Sequence, residues 1–258
     1  MWSFFRKRFR ANGAFHKVFP GTPSAVEVFE RAPYRLMRFV DAQTLVQGKQ
    51  HLRVPLDYGL NYLRQQLLAS CVHPDPKNVL ILGLGVGALP TLCRQIHPNI
   101  NLTIVELNPA VIDAAQTCFA FDSKSDCKIV CADAYEWLHA HRQHAFDLIF
   151  NDCFDGLTSS VHMRTVSTLE TLVSHLTDSG MLITNLLAHQ NIPASDWLQA
   201  HGLNEWLWHA EQKSNLSLIY SHLPLVSRSL QSRVNQLDTL NALPFSLVTE
   251  FNRLMTPI

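Results

Sequence analysis

From Asn78 onward, short apolar runs alternate with longer stretches in which apolar residues recur every three or four positions. Runs of the first kind suit strands buried on both faces, and stretches of the second kind suit helices with one apolar face. The pattern predicts strand 79–83, helix 87–97, strand 102–106, helix 109–119, strand 127–131, helix 134–142 and strand 146–151. It continues with helix 163–176, strand 181–186, helix 194–201, and strands 204–210 and 216–222. Strand–helix–strand units cross over with one hand, so the helices must cover both faces of a parallel sheet. Only "AEQKS" separates the last two strands, and so short a link joins antiparallel neighbours.

The region before this rhythm reads differently. Between Ala25 and Pro55 apolar residues alternate over short spans, with turn signals near Ala32-Pro33 and Gly48, which predicts a small β subdomain. Leu60 to Ser70 has helical spacing, and "HPDPK" links it to the first buried strand. The expected organisation is a basic segment 1–24, a β subdomain with its linking helix at 25–75, and a large α/β domain at 76–258. The stretch 223–258 reads as helices broken by Pro224 and Pro244, and no internal repeat is visible.

Composition narrows the classes. At 47% apolar content the chain can build a sizeable core, and 21 basic against 21 acidic residues leave no overall field to draw in nucleic acid. No apolar run reaches the ~18 residues of a membrane span, so stable membrane insertion is not expected. The opening "MWSFFRKRFRANGAFHK" interleaves Arg6, Lys7, Arg8, Arg10 and Lys17 with aromatics and carries no acid. A frayed terminus, a membrane-surface contact and an organelle-targeting segment all fit it. Six cysteines without C-x-x-C pairs or a secretory leader fit reduced thiols in cytoplasm. Cys127 and Cys131, four apart in a strand, are expected to be buried packing residues, with no metal site.

The candidate chemistry lies at strand ends. "NVLILGLGVGALP" runs from a strand into Gly83, Gly85 and Gly87, which satisfies both the dinucleotide pattern and a tighter nucleoside pattern. Pro90 does not prevent a helix from starting there, since a first-turn N–H has no intrahelical partner. Glu106 ends the second strand about twenty residues later, where a carboxylate can accept ribose hydroxyls. In "CADAYEWL", Asp133 could take hydrogen bonds from an adenine amino group while Ala134 offers a backbone N–H; Asp133 could equally be a helix N-cap. At the end of the fourth strand, "FNDCFDG" sets Asp152 and Asp155 at the sheet edge that carries ligands, a pair suited to a cation. His162 and His189 border this region in sequence, but with 13 histidines in the chain a surface role is the default for each.

With "VFERAPYRLMRFVDAQTLVQG" and "IVELNPAVIDAA" these motifs occur in an order and spacing that resembles the spermidine synthase family, the polyamine aminopropyltransferases, especially its bacterial spermidine synthase-like branch. The resemblance runs from about Val26 to Leu223. It implies a methyltransferase-like Rossmann fold, a mostly parallel seven-stranded sheet with a terminal antiparallel strand, behind an N-terminal β subdomain. It also implies transfer of an aminopropyl group from decarboxylated S-adenosylmethionine to a diamine such as putrescine, without a metal, in a homodimer. By the same resemblance Gly83, Gly85 and Gly87 admit a nucleoside sulfonium, Glu106 holds the ribose, and Asp133 and Ala134 the adenine. Asp152 becomes the base, Asp155 an amine-binding acid, and Tyr62 and Gln47 further pocket residues.

Three departures stand out. Val86 replaces the acid of the family's glycine loop, "GLTSSVHMRT" lacks the Pro and Gly residues that follow the two acids, and Leu63-Arg64 follows Tyr62 in place of His or Gln and then Glu. Two other readings therefore stay open. One is an S-adenosylmethionine-dependent methyltransferase, which would use the intact donor; the other is a non-catalytic protein that binds a nucleoside or a partner.

Overall fold

The computed structural model describes residues 15–42, 46–123, 126–153, 165–187, 201–209, 215–224, 226–240 and 243–255. Strands β1 (His16–Phe19), β2 (Val26–Arg31), β3 (Tyr34–Phe39) and β4 (Val46–His51) form an antiparallel sheet in chain order. Helix α1 (Asn61–Ser70) then leads into a second sheet. Its strands are β5 (Asn78–Leu82), β6 (Asn101–Glu106), β7 (Cys127–Cys131), β8 (Phe146–Asn151), β9 (Leu176–Leu187), β10 (Asn204–His209) and β11 (Asn215–Ser221). Between them lie α2 (Ala88–Ile96), α3 (Pro109–Cys118), α4 (Ala134–Ala140) and α5 (Val166–Ser174), and α6 (Ser227–Thr239) and α7 (Leu247–Met255) close the described chain.

The seven strands are ordered β10-β11-β9-β8-β5-β6-β7. All pairings from β9 to β7 are parallel, while β11 runs antiparallel to both β9 and β10. The expected closing hairpin is present, with its second strand inserted against β9. Burial explains the apolar runs: Val79, Leu80, Ile81 and Leu82 of central β5 are all sealed from solvent. Val79 and Ile81 join the core that contains residues of α1, α2 and α3, whereas Leu80 and Leu82 join the core shared with α4 and α5. A strand covered on both faces places apolar residues toward both.

Several expectations shift. The small sheet begins at His16, ahead of Ala25, because the four-residue "HKVF" is too short for alternation to show; it pairs with β2 through His16↔Phe29 to Phe19↔Val26. Strand β9 starts at Leu176 and passes through "TDSG", since Asp147 Oδ1 accepts from Thr177 Oγ1 (3.0 Å) beside a register shift in β8. Helix α1 packs on β9 and β11 of the large sheet. The cysteine reading needs correction: Cys127 is half-buried and Cys131 exposed, because β7 is the edge strand and lacks a neighbour on one side. The predicted helix 194–201 falls outside the described residues except at its end, as does the basic opening apart from Phe15 to Lys17. Among the described residues no helix is long and apolar enough to cross a membrane, and no group of three or more His, Cys, Asp or Glu could hold a metal ion.

Candidate functional site

The chain leaves β5 through three glycines with positive φ: +91° at Gly83, +55° at Gly85 and +77° at Gly87. L-residues enter this region at a cost, so glycine is favoured at each position, but the surroundings differ. A Cβ on Gly83 would lie 2.6 Å from the Asp152 carbonyl oxygen, and one on Gly87 2.7 Å from the Phe121 ring. At Gly85 nothing among the described residues stands within 4 Å, because that backbone borders the cleft. Hydrogen bonds lace the strand ends together: Gly83 N–H to the Val105 carbonyl (2.8 Å), Asp152 N–H to Leu82 (3.0 Å) and Ala132 N–H to Glu106 (3.1 Å).

Above these ends lies a cleft of about 540 Å³. The large sheet and its loops supply one wall, including Gly83, Gly85, Glu106, Asp133, Ala134, Asp152 and Cys153. The small sheet and α1 supply the other, with Met37, Phe39, Gln47, Leu60, Tyr62 and Leu63. The two walls meet at Val86, which is 2% exposed; a Cβ placed on Gly48 of β4 would lie 2.6 Å from its Cγ1. The position where the family's loop carries an acid is here an apolar plug in a notch of the small sheet.

Glu106 is buried at the end of β6. Its Oε2 accepts from the Leu84 N–H (2.8 Å) and its Oε1 from the Asn108 N–H (2.9 Å). Burial raises its pKa, opposed by backbone N–H groups of Asn108, Leu84, Leu107 and Gly85. A carboxylate offers about four acceptor sites, so capacity remains for hydroxyl donors. Asn108 caps α3, with Pro109 at the first helical position, and this fixes the turn that follows the acid. Asp133 caps α4: its Oδ1 accepts from the Glu136 N–H (3.0 Å) while the residue also borders the cleft.

Asp152 is half-buried just beyond β8. Its Oδ1 accepts from Asn185 Nδ2 (2.7 Å) and its Oδ2 from the Tyr62 hydroxyl at a long 3.3 Å. Burial pushes its pKa up to about 7 against these two hydrogen bonds. Burial, then the adjacent Asp152, drive the Tyr62 phenol well above its ordinary range, so it stays a donor. Glu106, Asp133, Glu136 and Asp152 all border the cleft, and among the described lining residues there is no Lys, Arg or His. Such a wall favours a positively charged guest.

Of the residues singled out from the sequence, Gly83, Gly85, Glu106, Asp133, Ala134, Asp152, Tyr62 and Gln47 come together on this cleft. Gly87 lies outside the lining, at the start of α2 under Phe121. Asp155, His162 and His189 fall outside the described residues. Sequence reasoning missed Asn185, although a polar pair, Thr184-Asn185, interrupting the apolar run of β9 near its C-terminal end is a visible signal. It also missed the apolar lining from β3, where Met37 and Phe39 alternate inward.

A family model described as the spermine/spermidine synthase domain matches residues 66–201. Among similar curated proteins is the polyamine aminopropyltransferase of Vibrio vulnificus, 26% identical over 164 residues, covering 62% of this chain and 55% of that protein. The polyamine aminopropyltransferase of Chromobacterium violaceum is 29% identical over 161 residues, covering 62% and 60%. The chain thus matches little more than half the length of these relatives. A crystal structure of spermidine synthase in complex with the transition state analogue AdoDATO superposes with a TM-score of 0.61 at 16% identity, covering 93% of this chain and 89% of that one. At that identity the likeness establishes a shared fold.

Proposed function

The chain belongs to the spermine/spermidine synthase family, and from that premise we propose that it is an aminopropyltransferase, moving the aminopropyl group of decarboxylated S-adenosylmethionine to a diamine such as putrescine. One observation carries the reading: Asp152 borders the cleft with a carboxylate that is half-buried, hydrogen-bonded on both oxygens and held near neutrality in its pKa. In the proposed complex the nucleoside lies over Gly83 and Gly85, with its ribose on Glu106 and its adenine beside Asp133 and Ala134. Tyr62 and Gln47 line the amine's path, and the family resemblance makes Asp155, which lies outside the described residues, a further amine-binding acid.

An alkylammonium with a pKa of about 10 is no nucleophile until it loses a proton. In the reaction the amine nitrogen attacks the aminopropyl carbon bonded to sulfur. The C–S bond breaks with its electron pair going to sulfur, which leaves methylthioadenosine, and the amine proton passes to Asp152. A base with a pKa near the working pH suits this transfer. The methyltransferase reading is not favoured. Its intact donor carries a carboxylate, and the described lining offers four acids and no cation to receive one.

The test is a product assay by mass spectrometry, with decarboxylated and intact S-adenosylmethionine each offered alongside putrescine, cadaverine and spermidine. A mass gain of one aminopropyl group, with the decarboxylated donor only, is expected. A methylated product would establish the methyltransferase instead, and binding without any product would leave a non-catalytic nucleoside-binding protein.

A further inference from the structure

Proton transfer to Asp152 requires one carboxylate oxygen to stay available and to keep its place, and what holds the group lies behind the cleft wall. Asn185 of β9 is 3% exposed and does not border the cleft. Its Nδ2 donates to Asp152 Oδ1 (2.7 Å), and its Oδ1 accepts from Asn215 Nδ2 (3.1 Å). Together the two bonds fix the amide: turned over, it would set oxygen against the carboxylate and NH₂ against NH₂. Directly opposite Asn185 in the register, Ser217 donates to Gln65 Oε1 (3.2 Å), and Gln65 donates to the His209 carbonyl. The helix that presents Tyr62 is therefore tied to β11, the strand whose Asn215 orients Asn185. The two oxygens of Asp152 are left unequal, Oδ1 held by a short bond and Oδ2 by a long one from a residue that lines the cleft.

We propose that Asn185, oriented by Asn215, is a positioning residue for Asp152: it ties down Oδ1 and leaves Oδ2 as the oxygen that meets the amine and takes its proton. The amine's part in this rests on the aminopropyltransferase reading; the tie between the two side chains does not. Among the described residues, Tyr62 from α1 and Cys153 next in the chain interact with the carboxylate, and Glu106 from β6 and Asp133 from the start of α4 face the same cleft; none of these is a cation. An N–H donated to the carboxylate favours its charged form, so Asn185 opposes the effect of burial, and its loss must raise the pKa.

The experiment uses the full chain labelled with ¹³C at the aspartate carboxyls, with the Asp152 signal assigned by its loss in Asp152→Asn. Asn185→Leu removes the donor, and Asn215→Ala keeps the donor but removes what orients it. The Asp152 titration midpoint is expected to rise by about one pH unit in Asn185→Leu, the size of one hydrogen bond to a charged group, and by less in Asn215→Ala. The acid limb of the kcat/KM–pH profile should move with it, while the KM for the donor stays put. Midpoints unchanged in both variants overturn the proposal, however much activity is lost, because a merely structural role produces that pattern. A raised midpoint in a protein whose unaltered form transfers no aminopropyl group upholds the tie and rejects the transferase reading.

Discussion

Replacing Asp152 by asparagine should make the protein more stable while abolishing turnover. Burial moves the carboxyl from its ordinary 3.8 to about 7, which outweighs the bonds from Asn185 and Tyr62. At 1.36 kcal/mol per unit, a rise of roughly three units amounts to about 4 kcal/mol of penalty on the charged form. Water entering the open cleft screens part of this, so an effect of about 2 kcal/mol is expected. The sign follows from linkage. The unfolded chain ionises this group near 3.8 and the folded protein near 7, so the penalty is absent below about pH 4, grows through the interval, and is complete above about pH 7. Asp152→Asn keeps the shape and an acceptor for Asn185 but removes the charge. Urea unfolding at about pH 8 should show the variant more stable, and the gain should shrink steadily toward pH 4. Equal stability at pH 8, or a gain independent of pH, would refute the assignment of a half-buried carboxylate with a raised pKa.

Other perturbations test other parts of the cleft. Glu106→Ala should weaken methylthioadenosine binding by roughly 1.5–3 kcal/mol in isothermal titration, the loss of a charged hydrogen-bonding partner; unchanged affinity would remove Glu106 from the nucleoside site. Gly85→Ala should cost only about 1–2 kcal/mol of backbone strain, since its Cβ meets nothing within 4 Å among the described residues, yet it should block nucleoside binding by projecting into the cleft. Gly83→Ala should destabilise the fold more, because its Cβ would meet the Asp152 carbonyl at 2.6 Å; thermal unfolding that ranks the two variants the other way contradicts this geometry. Val86→Asp should destabilise the unliganded protein by roughly 2 kcal/mol or more, since it buries an unpaired carboxylate, and denaturant titration reads it directly.

The large sheet was legible because its central strands are buried on both faces and so read as continuous apolar runs, as Val79 to Leu82 illustrate. Elements with weaker constraints were harder to read. Strand β1 is four residues long, and β9 carries Thr177, Asp178, Ser179 and Gly180 within it, a run that reads as a turn until Asp147 is seen to receive Thr177. At the site, Glu106 and Asp152 were visible because a charge at the end of an apolar strand is conspicuous. Asn185 was not, because its importance depends on Asn215 and Asp152, which lie far away in sequence and meet it only through strand register. The exposure of Cys131 was likewise hidden, since the sequence does not say which strand ends the sheet.

Because the Val86 side chain occupies the space that a larger residue at position 48 would need, the two positions form a lock whose halves must change together. An acid introduced at 86 alone meets a closed socket, and a bulkier residue at 48 alone collides with the valine. Substitutions in such contact do not add, so the cost of a change at either position depends on the residue at the other. The seam between the two sheets is thereby set by both positions at once, and repacking it would take a paired mutation.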